Sequence, residues 1–227
     1  MIHRFFIGNE IGEQTEILLP KEIDRQISGV LRMKSGERIT VFDGSGNDFI
    51  SEYSGKGKAK VLEKIPNRRD PERKIYLFPS LLKKDKMEWV FQKGTELGVY
   101  EFCPVLSERS VKKDFNLERA QKIIKEAAEQ CGRAFVPAIN SSMDFSEALE
   151  FVQEKRFRGL IADVNSKRHI FESLKEPHMA LFIGPEGGWT EKELAEAKEY
   201  GFQNISLGKL NLRAETASIV GSAFLVS

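Results

Sequence analysis

The chain of 227 residues has only two cysteines and three histidines, and these shortages remove two classes of protein. Cys103 and Cys131 lie far apart with no paired-cysteine spacing, and with so few histidines neither a disulfide framework nor a metal site is expected. Both cysteines read as buried thiols. No apolar run approaches the length of a membrane span, and the opening "MIHRFFIGNE" lacks the apolar stretch and small-residue cleavage site of a signal peptide. A cytoplasmic protein with no membrane partner is expected. An excess of one charge is also missing, since the formal net charge is +1.

What is present is a globular composition, 41% apolar with no low-complexity tract, enough for one large domain or two modest ones. Basic charge is concentrated in the middle. Residues 56 to 133 carry 19 Lys and Arg against 12 Asp and Glu, whereas residues 135 to 227 carry 10 against 13. A positive zone on a balanced protein suits a phosphate backbone, and it equally suits an ordinary solvated surface.

The pattern of elements changes near residue 70. Before it, "HRFFI", "TEILL", "ERITVFDG", "NDFISEY" and "KAKVLEKI" read as short strands separated by Ser-Gly and Gly-Ser-Gly turns. Only "KEIDRQISGVLRM" has helical spacing there, with Ile23, Ile27, Val30 and Leu31 on one side. A small β-barrel over residues 1–70 is expected. "PNRRDPERK", residues 66 to 74, has two prolines, a basic cluster and no apolar period, so it reads as a linker. Beyond it strands and helices alternate: "KIYLFPSL", "DKMEWVFQKGTELGV", "EFCPVLS", "NLERAQKIIKEAAEQC", "GLIADV", "MALFIG", "TEKELAEAKEY", "NISLG" and "RAETASIVGSAFLV". Residues 71–227 therefore read as an α/β domain with a mostly parallel sheet, in which ligands sit beyond the carboxyl ends of the strands.

Two loops fall at such ends. "MALFIG" runs into Gly184, Pro185, Glu186, Gly187 and Gly188, after which Thr190 and Glu193 form a capping-box spacing that starts the next helix. Glycine gives up much backbone entropy on folding, so this many in one loop reads equally as backbone left bare for a ligand or as a tight turn with none. The spacing is neither that of a dinucleotide fingerprint nor that of a P-loop, because the glycines fall as G-x-x-G-G and Gly208-Lys209 is followed by Leu210. "SLGKLNLRAETA", residues 206 to 217, repeats the arrangement of strand, glycine, polar cluster and helix. Taken singly, Arg213, Glu215 and Thr216 read as an ion pair and a helix-start hydroxyl.

Together, "KGTELGV" (93 to 99), "SERS" (107 to 110), "EAAEQCGRAFVP" (126 to 137), "IGPEGGWTEKE" (183 to 193) and "LGKLNLRAETA" (207 to 217) resemble the signature of the RsmE family of ribosomal RNA small-subunit methyltransferases. The "HRFF" and "VLRMKSGERITVFDGSG" stretches extend the resemblance over nearly the whole chain. One departure is Lys209-Leu210-Asn211, where the family more often has Pro-Arg-Ile. The resemblance implies a SPOUT-type α/β domain with a carboxyl-terminal trefoil knot, a PUA-like β-barrel in front, and a homodimer. It implies S-adenosylmethionine as cofactor, no metal, and methylation of N3 of one uridine in 16S ribosomal RNA, within the small ribosomal subunit.

Residue roles follow as expectations. Leu181, Ile183, Leu207 and Leu212 would wall the adenine, while Gly184, Pro185, Glu186, Gly187, Gly188, Gly208, Arg213, Ala214 and Thr216 would hold the cofactor. Uridine N3 carries a proton that must leave before or during transfer; a carboxylate or a water held by one would accept it, and an Arg near the uracil carbonyls would stabilise the developing anion. Arg213 and Glu215 are the catalytic candidates; Glu129 and Glu186 are further polar candidates, Glu129 pairing at i, i+4 with Arg133 as an ordinary helix ion pair. Arg4, Arg25, Arg32, Arg68, Arg69, Arg109 and Arg133 are the expected RNA contacts, with Arg73 of the linker beside them. Two rival readings share some of these features: a related enzyme modifying a transfer-RNA ribose, and a non-catalytic RNA-binding protein.

Overall fold

A computed structural model describes residues 3–170 and 176–226. The chain divides into two compact units, Met1–Asp70 with Ala128–Val136, and Pro71–Ala127 with Pro137–Ser227.

The first unit is built on a five-stranded sheet of β1 (Arg4–Phe6), β2 (Glu16–Leu18), β3 (Arg38–Phe42), β4 (Asn47–Gly55) and β5 (Lys58–Pro66), ordered β1-β3-β4-β5-β2. Only the β1 to β3 pairing is parallel. The hairpin between β4 and β5 needs left-handed backbone at Gly55, Lys56 and Gly57, which explains the two glycines. Helix α1 (Lys21–Arg25) passes into a single π turn, Gln26–Val30, and buries Ile23 and Ile27. These join Phe5, Ile17, Ile39, Val41, Phe49 and Tyr53 in one apolar core.

In the same unit, the segment 128–136 is held by polar contacts. The Phe6 backbone amide donates to Glu129 Oε1 at 2.9 Å, and Asn67 Nδ2 to the Gly132 carbonyl at 3.0 Å. Arg133, 5% exposed, donates from Nε to Asp70 Oδ1 at 2.7 Å, and the other Asp70 oxygen accepts the Ala134 amide at 2.7 Å. Arg4 pairs with Asp48 and donates to the Arg133 carbonyl at 2.8 Å, with its guanidinium over the Phe42 ring. Breaking one partner of such a buried pair costs about 3 to 5 kcal/mol, because the other charge is left dry.

The second unit centres on a six-stranded, all-parallel sheet, ordered β13-β11-β12-β6-β7-β9. Its strands are β6 (Lys74–Pro79), β7 (Glu101–Phe102), β9 (Ala138–Ile139), β11 (Arg158–Ala162), β12 (His178–Ile183) and β13 (Gln203–Ile205). β8 (Val105–Leu106) and β10 (Met143–Asp144) form a separate parallel pair. Among the described residues five helices accompany them: α2 (Lys84–Leu97), α3 (Leu117–Cys131), α4 (Phe145–Lys155), α5 (Glu191–Glu199) and α6 (Ala214–Val226). The last turn of α3 belongs to the first unit.

Alternation along the central strands sorts the two faces. Tyr76, Phe78, Ala180 and Phe182 join Phe145, Leu149, Val152, Trp189 and Phe202 in one cluster, whereas Leu181 meets α6 on the other side. That approach requires Gly221, since a Cβ there would lie 2.7 Å from Leu181 Cδ2. Residues 138–156, to which the sequence reading gives no element, supply β9, β10 and α4. Helix α4 is capped by Asp144 and Glu147 and buries Phe145, Ala148, Leu149 and Val152, a helical spacing. Among the described residues, no helix is long and apolar enough to cross a membrane.

Candidate active site

Three neighbouring strands, β13, β11 and β12, end in register: Ile161 lies beside both Phe182 and Asn204, and Ala162 beside Ile205. Parallel strands deliver their carboxyl ends to one edge, so the loops that follow converge. They enclose a cavity of about 430 Å³ lined by Asp163 and Asn165 from the first loop, Ile183 to Trp189 from the second, and Ser206 to Ala214 from the third, Lys209 excepted. Arg109 closes one side.

The loop after β12 is fixed by its own neighbours. Pro185 O accepts the Gly188 amide at 2.9 Å, closing a turn with Gly188 at φ +68°. The Trp189 indole donates to the Ala162 carbonyl at 3.1 Å, and its ring packs against Phe145 with centroids 5.1 Å apart. Arg109 Nη1 donates to the carbonyls of Gly187 and Trp189 at 2.8 and 3.3 Å. Thr190 and Glu193 form the expected reciprocal cap, and Glu193 Oε1 also accepts the Glu108 amide at 2.9 Å. Two glycines thus have internal reasons: a Cβ at 184 would lie 3.2 Å from the Trp189 ring and one at 187 would lie 3.3 Å from Arg109 Cδ. At Gly188 the reason is the backbone itself: nothing lies within 4 Å of a Cβ there, but φ +68° strains any side chain.

The loop after β13 is tied chiefly through Ser206, whose Oγ donates to the Gly208 carbonyl at 3.0 Å and accepts the Gly208 amide at 3.3 Å. Gly208 has φ +142°, a conformation that strains any side chain. Lys209, Leu210, Asn211 and Arg213 are exposed, Leu210 to 80%.

Behind both loops stands Lys86, in the first turn of α2. Its Nζ lies 2.9 Å from Glu186 Oε1 and 3.5 Å from Glu215 Oε2. The hydrogen bond to Glu186 raises the lysine above its ordinary range, and the same bond holds the Glu186 carboxyl below its own. The Glu215 side chain is only 8% exposed.

Of the expected cofactor residues, Ile183 to Gly188, Leu207, Gly208, Leu212, Arg213 and Ala214 line the cavity; Leu181 is buried beneath it and Thr216 lies outside the lining. The two catalytic candidates separate: Arg213 is exposed at the rim, whereas Glu215 is buried beside Lys86 and does not line the cavity. Among the expected RNA contacts, Arg25, Arg32, Arg68 and Arg69 are exposed. Arg4 and Arg133 are instead engaged inside the first unit, because each finds a carboxylate and folded backbone partners there. Arg109 is exposed but spends its donors on the loop carbonyls. Asp163, Asn165 and Trp189 line the cavity without having been expected; only the placement of "IADVN" at a strand end could have signalled the first two.

Residues 69–226 match the family of the RNA methyltransferase domain. The ribosomal RNA small subunit methyltransferase E of Synechocystis sp. is 33% identical over 233 residues, covering 98% of this chain and 77% of that one. The protein of the same name from Bacillus subtilis is 33% identical over 239 residues, covering 96% and 93%. Among solved structures, the ribosomal RNA small subunit methyltransferase E from Neisseria gonorrhoeae, bound to S-adenosyl methionine, superposes with a TM-score of 0.90 at 33% identity, covering 98% of this chain and 96% of that one.

Proposed function

This chain belongs to the RNA methyltransferase family, among the ribosomal RNA small subunit methyltransferases E, and from that premise we propose that it methylates N3 of a uridine in 16S ribosomal RNA, using S-adenosylmethionine. The observation that carries the proposal is the cavity at the ends of β13, β11 and β12. Its size suits a drug-sized ligand, and it offers apolar walls at Ile183, Leu207 and Leu212 beside backbone at Gly184 to Gly188. The polar groups at Asp163 and Asn165 add acceptors and a donor for hydroxyl or amine groups.

When bound, the cofactor supplies a methyl group already activated on a sulfonium. The chain's own residues do the rest. Loop backbone binds and orients the donor, and the folded loops exclude water from it. Uridine N3 gives up its proton to solvent water at the open side of the cleft, and Arg213, exposed at the rim, would stabilise the charge that develops on the uracil carbonyls. Glu215 serves from behind, through its contact with Lys86. The base must be single-stranded or extruded, because N3 is paired inside a duplex.

Residues 1–70 serve as a PUA-like β-barrel domain for RNA, and residues 71–227 as the methyltransferase domain. Supporting this are the five-stranded sheet and the exposed Arg25, Arg32, Arg68 and Arg69. The second unit is a SPOUT domain with a carboxyl-terminal trefoil knot, a reading supported by its all-parallel sheet and its closing helix α6. The working form is a cytoplasmic homodimer; the half-exposed Ile219 and Val220 of α6 and the exposed Trp89 of α2 support an apolar interface.

The test is mass spectrometry of nucleosides from small ribosomal subunits lacking the modification, incubated with the protein and isotopically labelled S-adenosylmethionine. Labelled 3-methyluridine is expected. Label on a ribose, or none despite cofactor binding, would contradict the assignment.

A further inference from the structure

We infer that Lys86 is a positioning residue for the cofactor cleft: one ammonium that ties the loop after β12 to the first turn of α6 through two carboxylates. The inference rests on the proposed cofactor site. Lys86 does not line the cavity, yet it contacts Glu186, which does, and Glu215, which follows the lining residues Arg213 and Ala214. Its own place is set by the sheet. The Ser80 amide donates to the Ile183 carbonyl at 2.8 Å and Pro79 lies opposite Ile183, so the segment entering α2 starts beside the root of the glycine-rich loop. The Leu81 amide, bonded to Val105 O at 3.0 Å, turns the chain into the helix.

From the other side, Gly221 allows α6 to lie against β12, which carries Glu215 to the same point. Two carboxylates then approach one another at the back of a cleft, where their repulsion would push its walls apart. A lysine between them removes that repulsion and holds both elements. Burial makes the Glu215 contact matter more than the Glu186 contact: a Glu215 carboxylate oxygen is buried with no hydrogen bond, so the nearby ammonium is its compensation. The consequence falls on cofactor binding, because both tethered elements form the cavity walls, and no part of Lys86 reaches the reacting atoms.

Four variants test this, Lys86→Met, Lys86→Arg, Glu186→Gln and the Lys86→Met, Glu186→Gln double variant, each measured by calorimetric titration with S-adenosylmethionine, by steady-state methyl transfer and by thermal melting. For K86M, the Kd and KM for the cofactor should rise about tenfold, equivalent to about 1.4 kcal/mol, with kcat changed less than about threefold. K86R, which keeps the cation, should recover most of that affinity. E186Q, at a partly exposed side chain, should fold normally and show a smaller rise, and adding K86M to it should cost less than K86M alone. Cofactor affinity unchanged in K86M would overturn the inference. So would K86R failing as badly as K86M, since packing and not charge would then be at work. Failure of the unsubstituted protein to bind S-adenosylmethionine would overturn the proposed cofactor site, and this inference with it.

Discussion

The two loops that face each other across the cleft are built on different principles. The loop after β12 is held from four directions: by the Arg109 guanidinium, the Trp189 indole, the Thr190 and Glu193 cap, and Lys86. The loop after β13 has the Ser206 hook, a left-handed Gly208, and a run of exposed side chains from Lys209 to Asn211. One wall is organised before any ligand arrives, and the other has much of its surface still to bury. Such a division suits a site that must bind a small cofactor firmly and then admit a large substrate.

The largest way to break the contrast is at Trp189, which is 8% exposed and belongs to the core cluster behind the first loop. Trp189→Ala should lower stability by about 3 to 5 kcal/mol, read by urea unfolding, and should abolish the difference in order between the two loops. Arg109→Ala removes two carbonyl contacts from an exposed side chain. It should leave the melting temperature nearly unchanged while weakening cofactor binding about fivefold to tenfold, read by titration.

These two positions also mark what the sequence made legible. The strand-loop-helix placement of Gly184 to Gly188 and the start of α5 at Thr190 follow from local chemistry, as do most strands and helices. What was hidden is pairwise. Gly184 and Gly187 are spared a side chain by Trp189 and Arg109, and no spacing along the chain reveals that Arg109 reaches a loop almost eighty residues away. Arg4 and Arg133 carry the same charge as Arg68 and Arg69, and only the folded partners Asp48 and Asp70 separate structural cations from exposed ones. Helix α4 could have been read from Asp144, Glu147 and the apolar spacing that follows.

A smaller effect sharpens the comparison through pH. Glu186 is depressed below its ordinary 4.5 by the bond to Lys86, so its contribution is present above that value and is lost as pH falls through the depressed value. Lys86 is raised above 10.5, so its contribution is complete below that and disappears as pH rises through the raised value. The tether is therefore intact between about pH 5 and 10. Cofactor affinity measured across that window should show no titration from this pair in the unsubstituted protein, and the acid limb should move to higher pH in K86M.

The smallest effect on the fold is expected at Leu210, 80% exposed on the second loop. Leu210→Ser should change stability by less than about 0.5 kcal/mol; because Leu210 also lines the cavity, the informative readout is the ratio of effects, the KM for ribosomal subunits rising more than the cofactor KM.

The most direct test of the cleft is amide hydrogen exchange with and without saturating S-adenosylmethionine. Protection should appear in residues 184–188 and 206–213, larger in the second loop than in the first, with β3 to β5 unchanged. Protection absent from both loops, or confined to other elements at a cofactor concentration that saturates binding, would contradict the site.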